Sequence, residues 1–162
     1  MDAFTLRRGR YTISTDPGRL DVEAIHSYLS RSYWAEGIPR DLVARSLAGS
    51  LCFGLYDGEQ EGRQVGFARV ITDRATFAYL CDVYVLEGHR GEGLGKQLME
   101  AVMAHPDLQG LRRWCLVTRD AHGLYQPFGF VPLPSPERYM EIARPAIYLQ
   151  DPPSPPKTCE AS

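Results

Sequence analysis

Residues 82–96, DVYVLEGHRGEGLGK, carry an apolar run into three closely spaced glycines and then directly into a helical pattern. Lacking a Cβ, Gly91, Gly93 and Gly95 are free to take left-handed backbone conformations and to let an anion approach the peptide N–H groups. The amino end of the following helix adds partial positive charge, and the side chains of Arg90 and Lys96 reinforce it. A diphosphate is the ligand chemistry that this combination fits. Other phosphate loops fit less well. Gln97 follows Lys96 where GxxxxGK[ST] requires a magnesium-binding hydroxyl, and the dinucleotide fingerprint GxGxxG is not matched. The plain alternative is a glycine-rich turn that only links a strand to a helix.

The elements around this turn follow from hydrophobic period. Residues 11–14 alternate weakly like a strand, and Asp16-Pro17-Gly18 turns the chain toward a helix beginning near Asp21, with Val22, Ile25 and Leu29 as its apolar stripe. Gly37-Ile38-Pro39 interrupts, and Leu42, Val43 and Leu47 predict a second helix ended by Gly49. Three apolar runs, Leu51 to Tyr56, Val65 to Ile71 and Phe77 to Leu86, have turn residues between them and predict an antiparallel meander. Leu94, Leu98, Ala101 and Val102 then give one apolar helix face, stopped by His105-Pro106. Trp114 to Thr118 predicts a buried strand. The intervening helix favours parallel pairing with the previous strand. Ala121, Leu124, Tyr125 and Phe128 mark a short helix ended by Gly129, and Tyr139 to Tyr148 predicts a last strand pair despite Pro145. The expected fold class is α/β (α+β): a mixed, mostly antiparallel central sheet flanked by helices. Residues 1–150 form a single domain in this reading, and the Pro-rich residues 151–162 a disordered tail.

Arg90-Gly91-Glu92-Gly93-Leu94-Gly95 resembles the Arg/Gln-x-x-Gly-x-Gly/Ala signature of the GNAT N-acetyltransferase superfamily, in the setting of a strand before it and a helix after it. The element order from about residue 10 to 148 is also similar to that family. The resemblance implies a GNAT-like fold and acetyl-CoA as acyl donor. The amides of Arg90, Gly91, Glu92, Gly93, Leu94 and Gly95, with Lys96, would hold the diphosphate. The pantetheine arm would run along the strand containing Val83, Tyr84 and Val85, which in that family carries a bulge splaying it from its parallel neighbour.

Aminolysis of a thioester needs an uncharged amine, a stabilised oxyanion and a proton for the departing thiolate. Tyr125 in GLYQPFGF resembles the family's helix tyrosine that acts as general acid at the CoA sulfur; it also falls on an apolar helical stripe, where an aromatic can be packing alone. Pro127 is expected to end that helix early. Asp82, just before Val83, is the nearest acidic candidate for a general base, with His122 or a chain of waters as rivals. An aspartate in that position also suits a bond to backbone or to an arginine. For the acceptor the resemblance directs attention to the linker of the first two helices, where Tyr33, Trp34 and Glu36 would suit an organic ammonium group. The bland reading makes Trp34 core and Glu36 a solvated turn residue.

Composition bounds the partners. The chain has 162 residues, 44% of them apolar, with a formal charge of −2 and a pI near 6.1, so nothing favours broad attraction to nucleic acid. Cys52, Cys81, Cys115 and Cys159 form no CxxC pair, and no metal site is expected. The amino-terminal residues lack the apolar core of a signal peptide, and no run of about 18 apolar residues is present to span a bilayer. The expectation is a cytoplasmic N-acetyltransferase acting on a primary amine of a small molecule or polypeptide. A homodimer is left open. The competing reading is a non-catalytic acyl-CoA sensor or partner-docking domain.

Overall fold

Strong strand formers separated by short turns lay down the centre of the molecule. The structure, a computed structural model describing residues 2–149, contains a six-stranded sheet in the order β1-β2-β3-β4-β5-β6. The strands are β1 (Thr5–Arg8), β2 (Tyr11–Ser14), β3 (Leu51–Asp57), β4 (Arg63–Thr72), β5 (Phe77–Val85) and β6 (Arg113–Leu116). Neighbours pair antiparallel from β1 to β5, and β5 pairs with β6 in parallel. The three-strand meander, the parallel crossover and the strand at residues 11–14 are thus as the sequence predicts, and β1 is an addition. Gly9, at φ 57, supplies the tight turn between β1 and β2. The charged sequence TLRRGR hides β1 from a search for apolar alternation.

Helices cover both faces. Helix α1 (Val22–Leu29) begins at Asp21, whose carboxylate accepts from the Ala24 N–H at 3.0 Å, a cap worth about 1 kcal/mol. With α2 (Arg40–Ala48) it packs Ile25, Leu29, Val43 and Leu47 against Cys52, Phe67 and Tyr84 of the strands. Helix α3 (Leu94–Ala104) covers the other face, setting Leu98, Met99 and Val102 against Phe53, Val65, Val70 and Leu80. Each such aliphatic side chain, once buried, contributes about 1.5–3 kcal/mol. Helix α4 (His122–Tyr125) is one turn long. Pro127 lacks an N–H to continue it, and the chain tightens into a 3₁₀ turn at Gln126–Phe128.

The expected strand pair over Tyr139 to Tyr148 does not form. That stretch is irregular, following a 3₁₀ turn at Pro136–Arg138 and running into another at Ile147–Leu149, and Met140 and Ile142 are exposed. Pro145 has no N–H to offer a ladder, and the chain returns to the α1–α2 linker, where a Cβ on Gly37 would lie 3.0 Å from the Tyr148 carbonyl oxygen. Likewise β6 stops at Leu116 instead of reaching Thr118, its ladder with β5 ending at the Leu80↔Leu116 pair. The expected tail, residues 151–162, lies outside the described residues.

Candidate functional site

A bulge in β5 creates the site. The β4–β5 register runs Arg69↔Cys81 and then Phe67↔Tyr84, so Ala68 alone faces the two residues Asp82 and Val83. Asp82 carries the inserted turn at φ 53, a left-handed conformation that aspartate tolerates better than most residues. On the other edge, β5 and β6 are in register only from Phe77↔Arg113 to Leu80↔Leu116, and Val117, beyond the last pair, is 82% exposed. The strands part into a cleft of about 1000 Å³. Its walls come from the α1–α2 linker, α2, β4, β5, the end of β6 with the loop after it, α4 and Tyr148.

At its far end β5 leads into the glycine turn. Gly91 and Gly93 have φ 84 and 73, and nothing lies within 4 Å of where a Cβ would stand on either. The turn is therefore open as well as left-handed, the shape a backbone anion cradle requires. Gly93 is the N-cap of α3 and has no side chain to bond the first helical N–H groups, so those of Leu94, Gly95 and Lys96 have no capping side chain. Gly95 does not share the left-handed conformation; it lies in the first turn of α3, facing Leu124. The Arg90 N–H is already bonded to the Glu87 carbonyl at 3.2 Å, which leaves the cradle to the residues after it. The Arg90 side chain reaches the Val85 carbonyl at 3.0 Å and the Tyr28 hydroxyl at 3.2 Å. Lys96 is exposed. Val83 lines the cleft, whereas the Tyr84 side chain turns to the opposite face and stacks on Tyr28 with ring centroids 3.8 Å apart.

Of the three proposed catalytic side chains, two meet in the cleft. Tyr125 lines it, 8% exposed, and its hydroxyl makes no hydrogen bond to another described residue. Burial pushes its pKa up to about 12, so the phenol keeps its proton throughout the neutral range. Asp82 also lines the cleft, but both oxygens are in use: Oδ2 accepts from Arg69 Nε at 2.7 Å and Oδ1 from Trp34 Nε1 at 2.8 Å. A carboxylate held this way fixes the positions of its two donors. His122 is exposed and is not among the residues lining the cleft.

Of the residues expected from sequence to bind an acceptor, Tyr33 and Trp34 line the cleft and are 50% and 38% exposed. Their rings meet edge to face at 5.0 Å, and Arg119 lies 3.9 Å over Tyr33. Glu36 is exposed and does not line the cleft. Apart from Asp82, the charges that do line it were not singled out from sequence: Arg45, Arg69, Arg119 and Asp120. Arg69 pairs with Asp82 at 2.7 Å and Arg119 with Asp120 at 3.5 Å, while Arg45 has no ion-pair partner among the described residues. No local motif marks these arginines, which come together only through the fold.

Comparison with known proteins bears on the family and the fold. The family described as "Acetyltransferase (GNAT) domain" matches residues 48–132. A provisionally named acetyltransferase of Gibberella zeae is 39% identical over 138 residues, covering 73% of this chain and 77% of that protein. The crystal structure of a protein from Xanthomonas campestris pv. campestris, assigned provisionally as a GNAT-family acetyltransferase, is 53% identical. It covers 89% of this chain and 100% of that one, with a TM-score of 0.84. A predicted acetyltransferase from Clostridium acetobutylicum, solved with acetyl-CoA, shares the fold at 18% identity and a TM-score of 0.59, over 82% of this chain and 94% of that one.

Proposed function

Because the chain belongs to the GNAT acetyltransferase family, we propose that it uses acetyl-CoA as donor and acetylates a primary amine of a small molecule or polypeptide by direct attack on the thioester. The observation that carries this reading is the form of β5: one strand runs from a cleft holding a buried, protonated tyrosine into an open, uncapped glycine turn. The turn fits a diphosphate because Gly91 and Gly93 leave its inner surface clear and the first amides of α3 need acceptors. The strand between fits an extended arm laid along its edge where β6 departs.

In this reaction the acceptor nitrogen forms a bond to the thioester carbonyl carbon and the carbon–sulfur bond breaks. The amine proton leaves to water or a base, and Tyr125 gives its hydroxyl proton to the departing thiolate. Asp82 serves to fix Arg69 and Trp34 at the bulge, and a chain of waters suits the deprotonation better than Asp82 or the outlying His122. The charge left over at Arg45 favours an acceptor with a carboxylate or phosphate near its amine. A reducing cytoplasm is the proposed compartment, in keeping with Cys52, Cys81 and Cys115 as free thiols.

A thiol-release assay against a panel of amines, with the product identified by mass spectrometry, tests the proposal. Acetyl-CoA binding without release for any amine would refute catalysis and leave a sensor of the acyl-CoA.

A further inference from the structure

Beneath the glycine turn lies a cluster of charged and polar groups that the reaction does not use. Asp57, at the end of β3, is fully buried and accepts from Arg10 Nε at 3.0 Å and Arg10 Nη2 at 2.6 Å, and from the Glu59 N–H at 3.0 Å. The Arg10 guanidinium holds the Asp57 carboxyl well below the usual carboxylate range. His89, 7% exposed, places Nδ1 3.8 Å from Asp57 and 3.0 Å from the Tyr11 hydroxyl. The Tyr11 hydroxyl in turn donates to the Glu92 carboxylate at 2.7 Å. Since the single phenolic proton goes to Glu92, Nδ1 of His89 must be the protonated nitrogen and donate to the Tyr11 oxygen. The chain of contacts therefore runs from the β1–β2 turn, through a buried aspartate, to the middle of the glycine turn.

Its end point is the informative part. Glu92 sits between the left-handed Gly91 and Gly93, within the segment whose amides would receive a diphosphate, and it carries the same sign of charge as that ligand. A free carboxylate on such a short turn could swing over the cradle and repel the anion. Tyr11, anchored on β2 and 8% exposed, bonds it on the side of the sheet instead. We propose that Tyr11, oriented by His89 and Asp57, is a positioning residue for acetyl-CoA binding that tethers the Glu92 carboxylate away from the diphosphate cradle. This inference rests on the reading of the turn as the acetyl-CoA site.

Calorimetric titration of acetyl-CoA into the full chain tests it through charge and reach. Glu92→Gln removes the repelling charge and should bind as tightly as wild type or tighter. Glu92→Asp keeps the charge but is too short for Tyr11, and should weaken binding roughly 10-fold. Tyr11→Phe should weaken it by a similar factor, and Tyr11→Phe combined with Glu92→Gln should recover to within about 3-fold of wild type. A purely structural role for Tyr11 would leave the double variant as weak as Tyr11→Phe. That result overturns the proposal, as does equal affinity of Glu92→Asp and Glu92→Gln, which needs no change to the buried Tyr11. The second readout is kcat/KM with S-acetylpantetheine, a donor lacking the diphosphate, for which Glu92→Asp should match wild type; an undiminished defect would overturn the tether. Failure of wild type to bind acetyl-CoA at all is a separate result that removes the site and the inference together.

Discussion

The two ends of β5 are built by different means. The glycine turn is one contiguous segment that presents backbone N–H groups, and what it requires is conformation: φ of 84 at Gly91 and 73 at Gly93, with open space where side chains would stand. The cleft is assembled from segments far apart in sequence and presents side chains, of which Tyr125, Asp82 and Trp34 are held by burial or by bonds at 2.7–2.8 Å. A site made of backbone tolerates loss of side chains but not of its dihedrals. A site made of side chains can lose its chemistry with a single atom. The difference predicts which substitutions alter affinity and which alter turnover.

The largest effect is expected in the cleft. Tyr125→Phe removes one oxygen and keeps the ring, whose edge-to-face contact with Phe130 at 6.1 Å should preserve the fold. If the hydroxyl protonates the thiolate, the acetyl-transfer step should slow by roughly 10²- to 10⁴-fold, with acetyl-CoA affinity little changed. A pre-steady-state measurement isolates that step from product release. A chemical step within a factor of two of wild type would remove Tyr125 as the acid and make the cleft resemble the turn. The pH profile adds a sign. Burial raises the Tyr125 pKa to about 12, so this acid stays protonated and active below that pH and is lost only above it. The rate should therefore rise as the acceptor amine loses its proton and stay level toward pH ~10.5. A descending limb centred near the ordinary tyrosine value would contradict the desolvated setting.

Next is the turn. Gly93→Val places a β-branched residue at φ 73, although no atom within 4 Å would clash with its Cβ. The cost is therefore conformational, about 1–3 kcal/mol of strain or a rearranged turn, and acetyl-CoA affinity should fall roughly 10- to 100-fold by calorimetry. Unchanged affinity would show that the left-handed turn is no part of the cradle.

These two regions were also unequally legible. Glycine spacing between an apolar run and a helical period is a local pattern, so Arg90 to Lys96 could be read from residue types alone, as could the meander and the helices. Even there the dihedrals were invisible: Gly95 is helical, and the Arg90 amide is spent on Glu87. The cleft depends on residues distant in sequence. Tyr33, Trp34, Tyr125 and Asp82 were found because a family resemblance pointed to their segments, while Arg45, Arg69 and Arg119 carry no sequence mark. Glu36 and His122 were chosen by chemistry without geometry, and both are exposed and not among the residues lining the cleft. The tether through Tyr11, Asp57 and His89 spans β2, β3 and the turn, and no spacing rule joins them.

A smaller effect is expected at Arg45 on the wall of the cleft. Arg45→Ala should raise the KM of amines carrying a carboxylate by about 5- to 10-fold and leave that of the matching amides unchanged. The exposed position of Arg45 on α2 makes loss of fold an unsuitable explanation for such a split. An equal rise for both acceptors would show that Arg45 does not recognise the anion and that the cleft selects by shape.

The smallest effect separates two reasons for glycine within one turn. A Cβ on Gly95 would meet Leu124 Cδ1 and Cδ2 at 3.7 Å, an ordinary contact, and the residue already has a helical conformation. Gly95→Ala should therefore leave the unliganded protein as stable as before, or more stable by up to about 1 kcal/mol, because alanine loses less conformational freedom in a helix. Thermal unfolding measures that part. The ligand side gives the contrast. If Gly95 is there to let a phosphate approach the helix amides, acetyl-CoA affinity should drop several-fold while the melting temperature holds or rises. Undiminished affinity would confine the requirement for glycine to Gly91 and Gly93, where it is the backbone angle that demands it. The cradle would then be defined by two left-handed residues rather than by three small ones.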